Sequence, residues 1–195
     1  MIVAGIDPSL SSTGIAVLVD GHPVMLRTVG HRSPDARSYA HRSDRIVSQA
    51  RAVIDALYCA PVTSPADRPK PLGERIDMAV IEGPAYAHHN AGTHDSAGLW
   101  WGLFSKLRSL RIPTAVIAPK TRALWTTGNG NATKSQVLDT VRSWWPGHAI
   151  RCNDIADALA LASIGAAHFG DQLPFELRAR HRAKLRDIDW PEVRA

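Results

Sequence analysis

Residues 2–30, IVAGIDPSLSSTGIAVLVDGHPVMLRTVG, hold three short apolar runs separated by turn-forming residues. IVAGID (2–7) reads as a buried strand, TGIAVLVD (13–20) as a second and PVMLRTVG (23–30) as a third, with Asp20, Gly21 and His22 supplying turn chemistry. Three strands in succession joined by tight turns predict an antiparallel meander. Residues 37–58 follow as an amphipathic helix, with Ile46, Val47, Ala50, Val53, Ile54 and Leu57 on one face and arginines on the other. After a proline-rich loop or insertion at 59–75, the pattern gives a strand (76–82), a loop (GPAYAHHNAG), a helix (93–111) and a strand (113–119). A loop, KTRALWTTGNGNA (120–132), then leads to helices near 132–145 and 154–168, and a basic segment from Asp171 to Ala195 reads as a short helix or a flexible tail. The order βββ-α-β-α-β-α-α predicts an α/β fold, a mixed five-stranded sheet flanked by helices.

At 195 residues the chain suits one well-packed domain, expected over 1–170, with the tail at 171–195. An apolar fraction of 45% excludes a disordered chain, and the net charge of +5 suits a polyanionic partner while adding little specificity. Cys59 and Cys152 lie far apart with no Cys/His ligand spacing, which argues against structural zinc and for free thiols in a reducing compartment. The N-terminus, interrupted by Asp7 and without a basic segment before it, reads as a strand rather than a signal peptide. No apolar run approaches the roughly 18 residues of a membrane span, so the expectation is a cytoplasmic protein.

Four carboxylates stand out against this apolar background. Asp7 and Glu82 each end an apolar strand, and Asp154 with Asp157 opens the alanine-rich segment NDIADALALA. Each has a plainer reading: a turn or cap for Asp7, an exposed strand end for Glu82, and a favourable place in the helix dipole for Asp154. Asp157 is hardest to read that way, because Ile155, Ala156, Ala158, Leu159, Ala160 and Leu161 surround it. Buried carboxylates need a cation, and two divalent ions about 3.5–4 Å apart would use several such oxygens. One ion activates a water and the other stabilises the leaving 3′ oxygen, which is phosphodiester hydrolysis. His88, His89 and His94 could donate a proton or touch a phosphate, but a polar surface loop explains them as well.

Four segments, GIDPSLSSTGIAV, AVIEGPA, PKTRALWTTGNGNATKSQVLDTV and NDIADALALA, together resemble the RuvC family of Holliday junction resolvases, within the ribonuclease H-like superfamily. They span residues 5–162, and the third carries the pattern Gly128, Gly130, Ala132, Lys134, Val137. The resemblance implies that Asp7, Glu82, Asp154 and Asp157 form a catalytic, metal-binding tetrad holding two Mg²⁺, with Mn²⁺ as a substitute. It also implies a homodimer acting on branched DNA, with Lys120, Arg122, Trp125, Gly128, Gly130, Lys134 and Tyr86 as candidate DNA contacts. Gly128 and Gly130 would let the backbone approach a phosphate, with Lys134 adding charge at a helix start. The family commonly has an aromatic residue three positions after the glutamate, where this chain has Ala85 followed by Tyr86. Trp100, with Leu99, Leu103 and Phe104, reads as core or dimer interface, and Trp125, in the loop beside Gly128 and Gly130, as the tryptophan to test for DNA contact.

The expected function is therefore a metal-dependent, structure-selective endonuclease that cuts Holliday junctions. The alternatives are a fork- or displacement-loop-preferring nuclease of the same class, an RNA-processing nuclease of the same fold, and a non-catalytic junction-binding protein. GIDPSLSSTG alone also resembles the phosphate loop of sugar kinases, but the chain is too short for their second nucleotide-binding domain.

Overall fold

The computed structural model describes residues 1–30, 38–61, 71–84 and 91–192. Strands β1 (Ile2–Asp7), β2 (Thr13–Val19), β3 (His22–Val29), β4 (Met78–Glu82) and β5 (Thr114–Ile117) form one sheet in the order β3-β2-β1-β4-β5. The first three pair antiparallel and β4 and β5 add on in parallel, so the expected meander and mixed sheet are both present. Asp20 (φ 48°) and Gly21 (φ 79°) both turn left-handed between β2 and β3, the backbone a tight hairpin requires.

Helices α1 (Tyr39–Tyr58) and α2 (Ala91–Ser109) cover one face of the sheet. Ser38 caps α1 by accepting the His41 N–H at 3.3 Å. On the sheet beneath, Ala4, Ile6, Ile15, Val17, Ala79 and Ile81 meet Val53, Leu57, Leu99, Leu103 and Leu107 in a continuous core. Helix α5 (Asn153–Phe169) lies on the opposite face and is buried on almost every side from Ile155 to Ala167. Its alanines let it rest directly on the sheet backbone. A Cβ on Gly5 would lie 2.0 Å from the Ala158 carbonyl oxygen, and one on Gly14 would lie 1.9 Å from that of Asp154. Those two glycines set how closely the start of α5 approaches β1 and β2.

One expectation changes. KTRALWTTGNGNA is not a loop throughout: Pro119–Thr127 form helix α3. Pro119 occupies its first turn, and Gly128 (φ 86°) closes it by donating its N–H to the Leu124 carbonyl at 2.8 Å. Gly128 thus has its left-handed backbone as a helix cap. Helix α4 (Lys134–Trp144) then starts from a reciprocal Thr133–Gln136 capping box.

The basic segment after Gly170 is docked. Its short helix α6 (Ala179–Leu185) is accompanied by Leu173, Phe175, Leu177, Leu185, Ile188 and Trp190, all packed against the core on the α5 side. Of the proline-rich stretch, the described end contains a 3₁₀ turn at Leu72–Glu74. Arg75 ties it to the end of α1 by donating to the Tyr58 and Ala60 carbonyls, each at 3.1 Å. No described helix is long and apolar enough to cross a membrane.

Candidate active site

Strand alternation decides where the first two carboxylates point. Ala4 and Ile6 face α1 and α2, so Val3, Gly5 and Asp7 face α5. β4 runs parallel to β1 with Ile6 opposite Ile81, so Glu82 comes level with Asp7 and on the same face. Asp157, one turn into α5, meets them from above. One carboxylate oxygen from each of Asp7, Glu82 and Asp157 lies within 4.8 Å of the others. An all-carboxylate, oxygen-only donor set of this kind fits a hard divalent cation such as Mg²⁺ or Mn²⁺.

Asp154 stands apart from these three. The i, i+3 spacing puts it on the same side of α5 as Asp157, but its Oδ2 accepts the Ser12 hydroxyl at 2.5 Å. It reaches the cluster through charge, raising the proton affinity of Asp7 and Asp157.

The cluster holds its own cation. Arg122, 7% exposed on α3, donates from Nε to Glu82 Oε2 at 2.7 Å, from Nη2 to Glu82 Oε1 at 3.5 Å and from Nη1 to Asp157 Oδ1. Burial opposes its charge, but Glu82 and Asp157 more than offset this and hold its pKa above the ordinary arginine value. Arg122, a candidate DNA contact from the sequence, is corrected by the structure: the first turn of α3 aims it inward at the acidic group.

Burial pushes the carboxyl of Asp7 well above its ordinary range, with the negative neighbours Glu82 and Asp157 adding to the effect. Burial likewise moves Asp157 up to about 6, although Arg122 beside it acts in the opposite direction. Among the described residues Asp7 has no hydrogen bond or ion pair of its own, so its charge is the least compensated of the three.

The supports of the site were not visible in the sequence. Trp100 donates from Nε1 to the Glu82 carbonyl at 2.8 Å, and stacks on Phe104 with centroids 5.1 Å apart. Gln49 is buried, with its Nε2 2.9–3.0 Å from the Ser9 carbonyl, the Thr13 hydroxyl and the Val29 carbonyl, which anchors the loop after Asp7. Glutamine at a position inside the apolar stripe of α1 is the one signal that could have revealed it.

Lys120, Lys134 and Gly128 are exposed on the α3–α4 side, Gly130 is half-buried there, and Lys134 is close enough to favour the charged form of Asp157. Trp125 is a second correction. It is 1% exposed and packed against Trp144 (centroids 5.6 Å) and His181 (4.8 Å), so neither ring face is open to a base. Tyr86, His88 and His89 lie outside the described residues, and His94 is exposed on α2.

No family model matches the chain. Over 165 residues it is 30% identical to the crossover junction endodeoxyribonuclease RuvC of Granulibacter bethesdensis, covering 84% of each protein. Its fold superposes on the RuvC structure of Thermus thermophilus with a TM-score of 0.63 at 22% identity, over 90% of this chain and all of that one. The T. thermophilus RuvC in complex with Holliday junction substrate gives 0.66 at 20% identity, over 98% of this chain and 99% of the other. These matches place the mixed sheet in the ribonuclease H-like fold expected from the sequence. With three carboxylates converging at the ends of β1, β4 and the start of α5, and this extent of shared sequence, the chain belongs to the RuvC family.

Proposed function

We propose that this protein is a metal-dependent endonuclease that hydrolyses phosphodiester bonds in branched DNA, with the Holliday junction as its leading substrate. The observation that carries this reading is the convergence of Asp7, Glu82 and Asp157 on one point in a chain of the RuvC family. Asp7, Glu82 and Asp157 would hold the metal, Mg²⁺ by preference and Mn²⁺ as a substitute, with Asp154 beside them. When bound, two such ions supply Lewis-acid activation of water and stabilisation of the leaving 3′ oxygen.

The protein's own groups prepare the site. β1 and β4 set Asp7 and Glu82 level, and Trp100 holds the Glu82 backbone. Ser12 holds Asp154 at the edge, and the exposed Lys120 and Lys134 offer charge to the DNA backbone. The protein would act in the cytoplasm as a homodimer, cutting two strands of a junction with two sites. Trp101, 60% exposed on α2, is an apolar side chain available to that contact.

The test is a panel of labelled substrates offered to wild type and Asp7→Asn with Mg²⁺ or Mn²⁺: a four-way junction, a fork, a displacement loop, linear duplex and structured RNA. Cleavage of the junction by wild type, with Asp7→Asn binding but not cutting, is the expected result. Faster cutting of forks or displacement loops keeps the chemistry and changes the substrate, and cutting of RNA alone moves the protein to another branch of the fold. Binding without cleavage by wild type at any metal concentration contradicts the reading.

A further inference from the structure

The carboxylate pattern explains a metal site, but it does not explain a buried arginine inside one. The Arg122 guanidinium takes both oxygens of Glu82 and one oxygen of Asp157, two of the three residues whose oxygens converge on a common point. A lone pair committed to a charge-assisted hydrogen bond is not free for a metal. The arginine is also well anchored. Its N–H donates to the Ala118 carbonyl at 3.0 Å, and its own carbonyl accepts the Thr126 hydroxyl at 2.8 Å, within a helix bounded by Pro119 and Gly128.

Charge balance points the same way. Asp7, Glu82, Asp157 and the neighbouring Asp154, set against one guanidinium, leave three negative charges, which one divalent ion reduces to one. A second ion beside the guanidinium would turn this largely buried group net positive, at an electrostatic cost in a low-dielectric setting. A phosphodiester entering the site brings the negative charge that could draw the guanidinium away.

We propose that Arg122 is a positioning residue that fills one of the two cation places. Without DNA the chain takes a single divalent ion, and the second is admitted only once the guanidinium has left Glu82 and Asp157. This rests on reading the carboxylate cluster as the metal centre. Arg122 then ties the two-ion state to the presence of substrate, and a free enzyme is held incomplete.

The experiment counts Mn²⁺ bound to the metal-free full-length chain, without DNA, from the electron paramagnetic resonance signal of the free ion. Wild type and Arg122→Lys, which keeps the charge, are expected to bind one ion per chain, and Arg122→Met, which removes it at similar length, two. Two ions on wild type, or one on a folded Arg122→Met, overturns the proposal.

Should Arg122→Met not fold, the wild type decides alone. Its Arg122 Nε–H resonance, identified by its loss in Arg122→Lys, is expected to stay protected from solvent exchange in saturating Mg²⁺. Loss of that protection at the first equivalent of Mg²⁺ overturns the proposal. Junction cleavage is scored separately. A protein that loads one ion yet cuts no branched DNA overturns the functional reading alone, whereas one that cuts but loads two ions without DNA overturns this inference alone.

Discussion

Helix α3 delivers side chains to two neighbourhoods that treat buried ionisable groups in opposite ways. Arg122 enters the acidic cluster, where three carboxylates share too little positive charge and two have raised pKa values. One turn on, Trp125 enters an aromatic box with Trp144, Phe175 and His181. Burial lowers the pKa of His181 to about 4, with Arg180 and Arg178 nearby adding to the effect, so near neutrality the imidazole packs as an uncharged ring. Its Nδ1 accepts the Arg178 N–H at 3.1 Å. The box removes the charge of its histidine and contributes cohesion, although the Trp125 Nε1–H is buried there without a hydrogen-bond partner. The acidic cluster instead gathers three carboxylates around one guanidinium, and keeping that much buried charge together points to use rather than to imperfect folding.

The largest effect that would sharpen this contrast lies at Asp7. Asp7→Asn is expected to slow junction cleavage by at least about a thousandfold, an increase of about 4 kcal/mol in the barrier. The same change is expected to raise the melting temperature of the metal-free protein, because the amide removes an uncompensated buried charge. Cleavage assays and thermal unfolding in chelator measure the two. A loss of both activity and stability would break the contrast.

On the other side, Trp125→Ala is expected to cost about 3–5 kcal/mol in urea unfolding while leaving the number of Mn²⁺ ions bound unchanged. Removing the residues after Gly170 strips Phe175 and His181 from the same box, and is expected to destabilise the protein similarly.

How much of this was legible in the sequence follows the same division. The strands were readable because unbroken apolar runs ended at turn residues. Asp157 was readable because alanine and leucine surrounded it on all sides. That Asp154 turns to Ser12 while Asp157 joins Asp7 was not readable, since spacing places both on one helix face and only the height of α5 over Gly14 separates them.

Helix α3 was missed because its inward positions, Arg122, Ala123, Trp125 and Thr126, include a charge and a hydroxyl, which breaks the apolar periodicity. Pro119 and Gly128 bracketed it, and both were read as loop chemistry. In the tail, the density of arginine masked the apolar residues Leu173, Phe175, Leu177, Leu185, Ile188 and Trp190 that dock it.

The two neighbourhoods should also separate by pH. Asp157 has a folded pKa of about 6 against an ordinary 3.8, so the folded state binds the proton more tightly. That contribution is present at low pH and is lost as pH rises through 6, a change of about 3 kcal/mol. His181 has a folded value of about 4 against 6.5, so its contribution is present above 6.5 and is lost as pH falls through 4, again by about 3 kcal/mol. In metal-free wild type the two slopes oppose each other between pH 4 and 6. Urea unfolding of Asp157→Asn in an Asp7→Asn background, which removes the other carboxyl whose pKa is raised, is expected to show stability rising with pH over that range, and His181→Gln to show it falling. Identical slopes in both variants would show that neither group titrates as its surroundings demand.

The smallest effects belong to the exposed lysines. Lys120→Ala and Lys134→Ala are each expected to weaken junction binding a few-fold and to reduce the salt dependence of binding by about one unit of slope, with stability unchanged. Binding isotherms across a range of salt concentrations measure both quantities.

Asp7, Glu82 and Asp157 are proposed to form the metal centre together. Anomalous diffraction from a crystal soaked in Mn²⁺ tests it most directly. The expected result is a peak within about 2.5 Å of an oxygen from each of the three carboxylates. A crystal with Mn²⁺ bound only elsewhere at saturating metal would contradict it.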